Sequence, residues 1–310
     1  MAKADKRRNP VLLQHGMTIG SNAAESDDEF LLDCFVHYPA VESCRDPRQP
    51  GMILGGRTGA GKTAILRYLA SKEERVHEID PGDMAMSYVA NSDILNFVQT
   101  IGGDLDLFFQ ILWKHVLCIE FIRLRWKVED EAASRTVFAW LTERFKRDPR
   151  KQKSLKYLKA WEGQFWVTMD ANIKEITEKI ESKLEAELGV EIRKSKLRGQ
   201  YDKQLSTDKK TELVSRARKI INSDQLSELA GVIDILHEQE DDPQKIYYLL
   251  IDKLDDRWVD TSIRFRLIRA LIESLRAFRR ITNLKIVVAL RSDIVERVMQ
   301  ETKDLSFQRE

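Results

Sequence analysis

The sequence predicts an α/β fold: a mainly parallel central sheet flanked by helices, with a long helical insertion. Three observations predict it. The apolar runs in GMILGG, KIYYLLID and LKIVVAL have the length of buried strands. The segments KTAILRYLA, 262–280 and DIVERVMQE repeat apolar residues at helical spacing, so strand and helix alternate. Between about 130 and 240, glycines and β-branched runs thin out and charges dominate, as in a block of amphipathic helices. The expected organisation is an N-terminal arm over 1–29, a first core part over 30–129, the insertion over 130–240 and a second core part over 241–310.

Taken in order, SNAAESDDEF closes a polar, loop-like arm with the early acids of a helix start. FLLDCFV precedes a loop punctuated by Pro39, Pro47 and Pro50. The run Met52 to Leu54 enters a glycine turn, and the following helix sets Ile65, Leu66 and Leu69 on one side. ERVHEID reads as a second strand, ending at Pro81. From Asn91 to Trp126 the pattern is helical, broken at Gly102 and Gly103, with Phe108, Ile111, Leu112, His115 and Val116 recurring at three and four. In the insertion, Ile173, Ile176, Ile180, Leu184 and Leu188 form one stripe, and a second amphipathic stretch spans Leu213 to Leu236. Two long helices joined near Arg198–Gly199 would bury these stripes against each other. The helix from about Ser262 to Arg280 directs Ile263, Leu267, Leu271, Leu275 and Phe278 toward the sheet.

Composition excludes several classes. With 310 residues, 43% hydrophobic and 33% charged, the chain fits a soluble, helix-rich protein with about two domains' worth of core. A formal net charge of +1 gives no global footprint for nucleic acid. The apolar run Val11 to Leu13 is too short for a signal peptide, and no segment approaches the ~20 apolar residues of a membrane span. Cys34, Cys44 and Cys118 lack metal-ligand spacing and cannot all pair, which points to a reduced, cytoplasmic setting.

The chemistry concentrates in Gly56-Arg57-Thr58-Gly59-Ala60-Gly61-Lys62-Thr63, which fits GxxxxGK[ST] in full between an apolar strand and an amphipathic helix. Glycines let the backbone wrap so that successive N–H groups converge on phosphate oxygens, and the helix N-terminus adds positive charge. Residues Gly56 through Ala64 are therefore the expected nucleotide contacts, with Lys62 on the β/γ-phosphates and the Thr63 hydroxyl on Mg2+.

LLIDKLDDRW supplies the metal side. Asp252 ends a buried-looking strand and is expected to complete the Mg2+ shell, although an acid in that place also caps turns. Lys253 follows, and a charged lysine cannot accept a proton from an attacking water. Asp255 and Asp256 are the candidates for that role, Asp255 ahead, against a reading in which they form a solvated turn. The strand LKIVVAL ends at Arg291-Ser292-Asp293, a polar tip suited either to sensing the γ-phosphate through Arg291 or to capping the next helix.

The phosphate loop, LLIDKLDD and ALRSD occur in the order of an additional-strand P-loop ATPase and resemble the AAA+, KAP and STAND branches. Together with AESDDEFLLDCFV, they are similar to a family of bacterial P-loop ATPases whose members are assigned to DNA repair or phage defence. The resemblance covers about two-thirds of the chain; the insertion matches only in helical character. It implies a P-loop NTPase fold with the phosphate-loop strand central and the additional strand beside it. It also implies ATP and Mg2+ at Lys62, Thr63 and Asp252, with Arg291 on the sensor strand. There are two departures: Lys253 replaces the usual Glu, and the sequence stops at Phe307 to Glu310, where AAA+ relatives continue into a helical lid. A fragment of a larger protein is thus one expectation.

The resulting expectation is a nucleotide-driven switch or motor module with slow ATP hydrolysis. Two alternatives stand beside it: a nucleic-acid-binding module gated by ATP, and a scaffold with a degenerate nucleotide site. The basic stretches RFKRDPRKQKSLKYLK and RKSKLRGQYDK, with Tyr157, Trp161, Phe165 and Trp166 nearby, would carry DNA or RNA contact, against a reading as core aromatics and solvated lysines. Arg279 or Arg280 would serve a neighbouring subunit's site in a homo-oligomer, against a solvated basic face. A partner effector protein is also expected, and no membrane.

Overall fold

The computed structural model describes residues 31–32, 34–83, 92–100, 105–160, 169–188, 207–220, 226–238, 245–256 and 261–307. The N-terminal arm and the junction expected near Arg198–Gly199 lie outside the described residues, as do Trp161, Phe165, Trp166 and the stretch from Arg193 to Lys203.

Four strands form one sheet: β1 Ile53–Gly56, β2 Val76–Ile79, β3 Tyr247–Ile251 and β4 Leu284–Arg291. All pair in parallel, in the order β1-β4-β3-β2. The four runs read from sequence are thus the four strands. β4 lies between β1 and β3, beside the glycine-loop strand as expected. The position of β1 differs from expectation: among the described residues it is an edge strand, paired with β4 alone, rather than central. Strand order depends on pairings between distant segments, which local pattern does not encode.

The central strands β3 and β4 are buried on both faces of the sheet. On one side, α1 Pro39–Arg45 and α2 Lys62–Lys72 cover Leu54, Tyr248, Leu250, Val287 and Ala289. On the other, Leu249, Ile251, Ile286, Val288 and Leu290 meet α4 Asp106–Trp126 and the helices behind it; α3 Asp93–Thr100 precedes α4. This alternation follows from the period of two along a strand, and with both faces covered every residue of β3 is buried. Each such Leu or Ile contributes roughly 1.5–3 kcal/mol.

The insertion contains more helices than the pattern predicts: α5 Glu131–Phe145, α6 Gln152–Lys159, α7 Met169–Leu188, α8 Thr207–Ile220 and α9 Leu226–His237. Ile173, Ile176, Ile180 and Leu184 of α7 are buried as the stripe requires, and α8 packs on α7. The stretch Leu213 to Leu236 is not one helix, however. Its second part, α9, packs on α6 and α4. One continuous apolar cluster joins β3 and β4 through α4 to α5, α6, α7 and α9, so the compositional boundary at 130 is not a packing boundary.

Polar links cross the same boundary. His115 Nδ1 of α4 lies 2.7 Å from the Tyr157 hydroxyl of α6, both side chains buried. The last helices are α10 Thr261–Phe278 and α11 Ser292–Phe307. The expected apolar face of α10 is buried, but chiefly against α4 rather than directly on the strands. The Trp113 indole donates to the Leu267 carbonyl at 2.9 Å across that contact. Among the described residues, no helix is long and apolar enough to cross a membrane.

Candidate functional site

Because the strands are parallel, their C-terminal ends share one edge of the sheet. β1 delivers Gly56, β2 leads to Asp80, β3 to Asp252, and β4 ends at Arg291. Such an edge is where α/β sheets bind ligands, in the crevice outside the carboxyl ends of the strands.

The glycine loop turns from β1 into α2. Gly59 and Gly61 have φ of +77° and +80°, a left-handed conformation that costs a residue with a Cβ about 1–2 kcal/mol. These two positions are where the sequence places glycine. Gly61 caps α2, and its carbonyl accepts from the Ile65 amide at 3.0 Å. Arg57, Thr58, Gly59 and Ala60 are exposed, with the amides at the start of α2 behind them. The Lys62 ammonium reaches back to the Gly56 and Arg57 carbonyls at 3.2 and 3.0 Å. That places a cation over the loop, in competition between its own carbonyls and any anion the loop receives.

A buried lysine fixes the approach to β1. Lys285 of β4 is 1% exposed, and its ammonium donates to the carbonyls of Asp46, Gln49 and Gly51 at 3.1, 2.9 and 2.8 Å. Burial lowers its pKa, yet three acceptors match the three donors of an ammonium.

Thr63 and Asp252 line one small cavity of about 60 Å3, with Leu66, Arg67, Glu78, Asp80 and Lys253 among its other walls. A threonine and an aspartate lining one space offer hard oxygen donors of the kind that suit Mg2+, whose remaining positions go to water and phosphate. Among the described residues no group of three or more His, Cys, Asp or Glu could hold a metal by itself.

Lys253 departs from ordinary strand-end geometry. Its φ is +58°, in the left-handed region, and its amide donates to Asp252 Oδ1 at 2.9 Å. Its ammonium donates to Asp80 Oδ2 at 2.8 Å, a bond that raises the lysine's pKa and keeps it charged. Asp80 Oδ1 accepts from the Gly82 amide at 2.8 Å. Burial works against the ionised Asp80 carboxyl, but the Lys253 and Gly82 hydrogen bonds outweigh it and bring the pKa below the usual range.

The other sequence candidates lie to one side. Asp255 and Asp256 are not among the residues lining the cavity of Thr63 and Asp252. Arg264 of α10 donates to both their carbonyls, at 3.0 and 2.8 Å. Burial, then the neighbouring Asp255, raises the Asp256 pKa. Arg291 stands in register with Gly56 and makes a two-point pair with Asp293, at 3.0 and 2.8 Å. Its Nε lies 3.9 Å from Asp255 Oδ2. The structure thus joins Thr63 with Asp252, and Arg291 with Asp255 and Asp293.

Of the basic candidates, Arg280 pairs with Asp234, and Lys151 is buried and pairs with Glu238. Tyr157 is a core residue facing His115, not a surface for stacking bases. A larger cavity of about 860 Å3, bordered by α6 and α7, is lined by Lys156 and Tyr157 of the first basic stretch and by none of the nucleotide-site candidates.

Sequence reasoning missed Asp80. The available signal was an acid ending the second strand directly before Pro81-Gly82, but only the pairing of β2 with β3 shows that it stands beside Asp252. Comparison with protein-family models, with curated proteins and with solved structures finds no match.

Proposed function

We propose that this chain binds ATP with Mg2+ at the glycine loop and hydrolyses it, acting as a nucleotide-driven switch or motor module of the additional-strand P-loop class. The observation that carries the reading is the cavity that Asp252 shares with Thr63, the last residue of the Gly56–Thr63 loop. The strand order, with β4 between the glycine-loop strand and the Asp252 strand, supports it.

In this reading the loop amides and Lys62 hold the phosphates, and Thr63 and Asp252 hold the cation. Bound Mg2+ would neutralise charge on the β- and γ-phosphates. Arg291 exchanges its Asp293 partner for the nucleotide's terminal phosphate. Because α11 begins at Ser292, that exchange gives the ATP and ADP states different contacts at a helix root. A setting in phage defence or DNA repair, a partner effector and a homo-oligomer rest on the family resemblance alone.

The test is ATP binding and turnover by the 310-residue chain, with and without DNA. Lys62→Ala and Asp252→Ala are expected to lower turnover by about 100-fold or more. Turnover in wild type that persists in both variants would reject the site. Binding without turnover would leave the degenerate-scaffold reading, for which Lys253 in place of a glutamate is the motivating feature. Hydrolysis stimulated by DNA, more steeply at low salt, would favour the nucleic-acid-gated reading.

A further inference from the structure

Hydrolysis at this site needs a group that orients the attacking water, and the residue after Asp252 cannot supply it: Lys253 carries an ammonium. The residues that line the cavity with Thr63 and Asp252 include two other carboxylates, Glu78 and Asp80. β2 runs parallel to β3 with Ile79 opposite Ile251, so Asp80 emerges level with Asp252 on the neighbouring strand. Glu78 pairs with Leu250 and stands one pleat further from the edge.

Asp80 is also fixed. Its two oxygens each take one hydrogen bond, from the Gly82 amide and the Lys253 ammonium, both at 2.8 Å. A carboxylate oxygen has two lone-pair directions, so each retains one for a water. Lys253 holds its side of this contact from a left-handed backbone, φ +58°. A lysine in that conformation is strained by about 1–3 kcal/mol and persists only where its surroundings impose it. Such strain at a strand tip lining a ligand cavity is the pattern of a functional constraint.

We propose that Asp80 is the water-orienting acid of this site and that Lys253 is a positioning residue that holds it. The inference rests on the ATPase reading above. The water's oxygen bonds to the γ-phosphorus as the bond from that phosphorus to the β–γ bridging oxygen breaks, its electrons leaving with ADP. The proton shed by the water passes to the Asp80 carboxylate and from there to solvent. The catalytic acid is thereby moved to the adjacent strand, and the lysine in its usual place serves as its clamp.

The test measures binding of a fluorescent ATP analogue and steady-state hydrolysis side by side. Asp80→Asn is expected to keep nucleotide affinity within about threefold and to lose turnover by about 100-fold or more. Asp255→Asn and Asp256→Asn, outside the cavity, are expected to stay within a few-fold of wild type. Lys253→Met is expected to lower kcat with KM unchanged, and Lys253→Arg to restore much of it, which a merely structural role would not produce.

Should Asp80→Asn not fold, Asp80→Glu keeps the charge and the lysine pair while displacing the carboxylate by one methylene, and is expected to slow turnover at least tenfold. Wild-type turnover in either folded Asp80 variant, or turnover lost in Asp255→Asn instead, overturns the assignment while leaving the nucleotide site intact. Wild-type protein that binds the analogue without hydrolysing it overturns the assignment too. Failure of wild type to bind the analogue is instead the failure of the ATPase reading itself.

Discussion

Replacing His115 by Asn tests whether the insertion is packed into the core at working pH. The imidazole is fully enclosed between α4 and α6, where burial, with a further contribution from the Lys179 charge, pushes its pKa from the ordinary 6.5 to about 3. The folded protein therefore holds it neutral while the unfolded chain protonates it on acidification. A depressed folded pKa contributes stability that is full above the unfolded value and is lost as pH falls from 6.5 toward about 3. At a pH of about 5.5, roughly ten in eleven unfolded chains carry the proton, so the loss is on the order of 1 kcal/mol. At a pH of about 7.5 it is below about 0.1 kcal/mol.

Asn retains a partner for the Tyr157 hydroxyl without a titrating group. Its packing loss is the same at both pH values and cancels in the difference. Urea unfolding followed by tryptophan fluorescence is expected to show wild type losing on the order of 1 kcal/mol more than His115→Asn between the two conditions. Equal losses in the two proteins would refute the claim that this imidazole is sealed between the helices, and with it the shared core.

Two further outcomes follow from buried charge. Lys285→Met, close in length but without donors, leaves the carbonyls of Asp46, Gln49 and Gly51 without their ammonium and is expected to cost about 2 kcal/mol of stability, read by thermal melting. Asp106 pairs with Arg266 and Arg269 of α10, and Arg269 is buried, so Asp106→Ala is expected to cost about 3 kcal/mol by urea unfolding.

The parts of the fold that local physics determines were legible in the sequence. The glycine loop announces itself because glycine adopts the φ values at 59 and 61 without strain, and β3 and β4 show as apolar runs because both faces of the sheet are covered there. The α7 stripe was legible for the same reason. What local pattern cannot contain is who sits beside whom. The edge position of β1, the seat of α10 on α4 and the division of the Leu213–Leu236 stretch all depend on partners far away in the chain. The site follows the same rule. Thr63 and Asp252 were found by motif, whereas Asp80, 172 positions before Asp252, becomes visible only when β2 is laid against β3. Tyr157 looked available for stacking because an aromatic near lysines reads alike in a core and on a surface.

The pairing of β1 with β4 has a mechanical consequence. Gly56 and Arg291 are register partners, and the next residue after Arg291 opens α11. Among the described residues β1 pairs with no second strand, while α2 and α11 also pack on it. A displacement of α11 thus has two short routes to the base of the glycine loop, the amide ladder between β4 and β1 and the direct packing of α11 on β1. The hinge and the handle of this assembly are one residue apart.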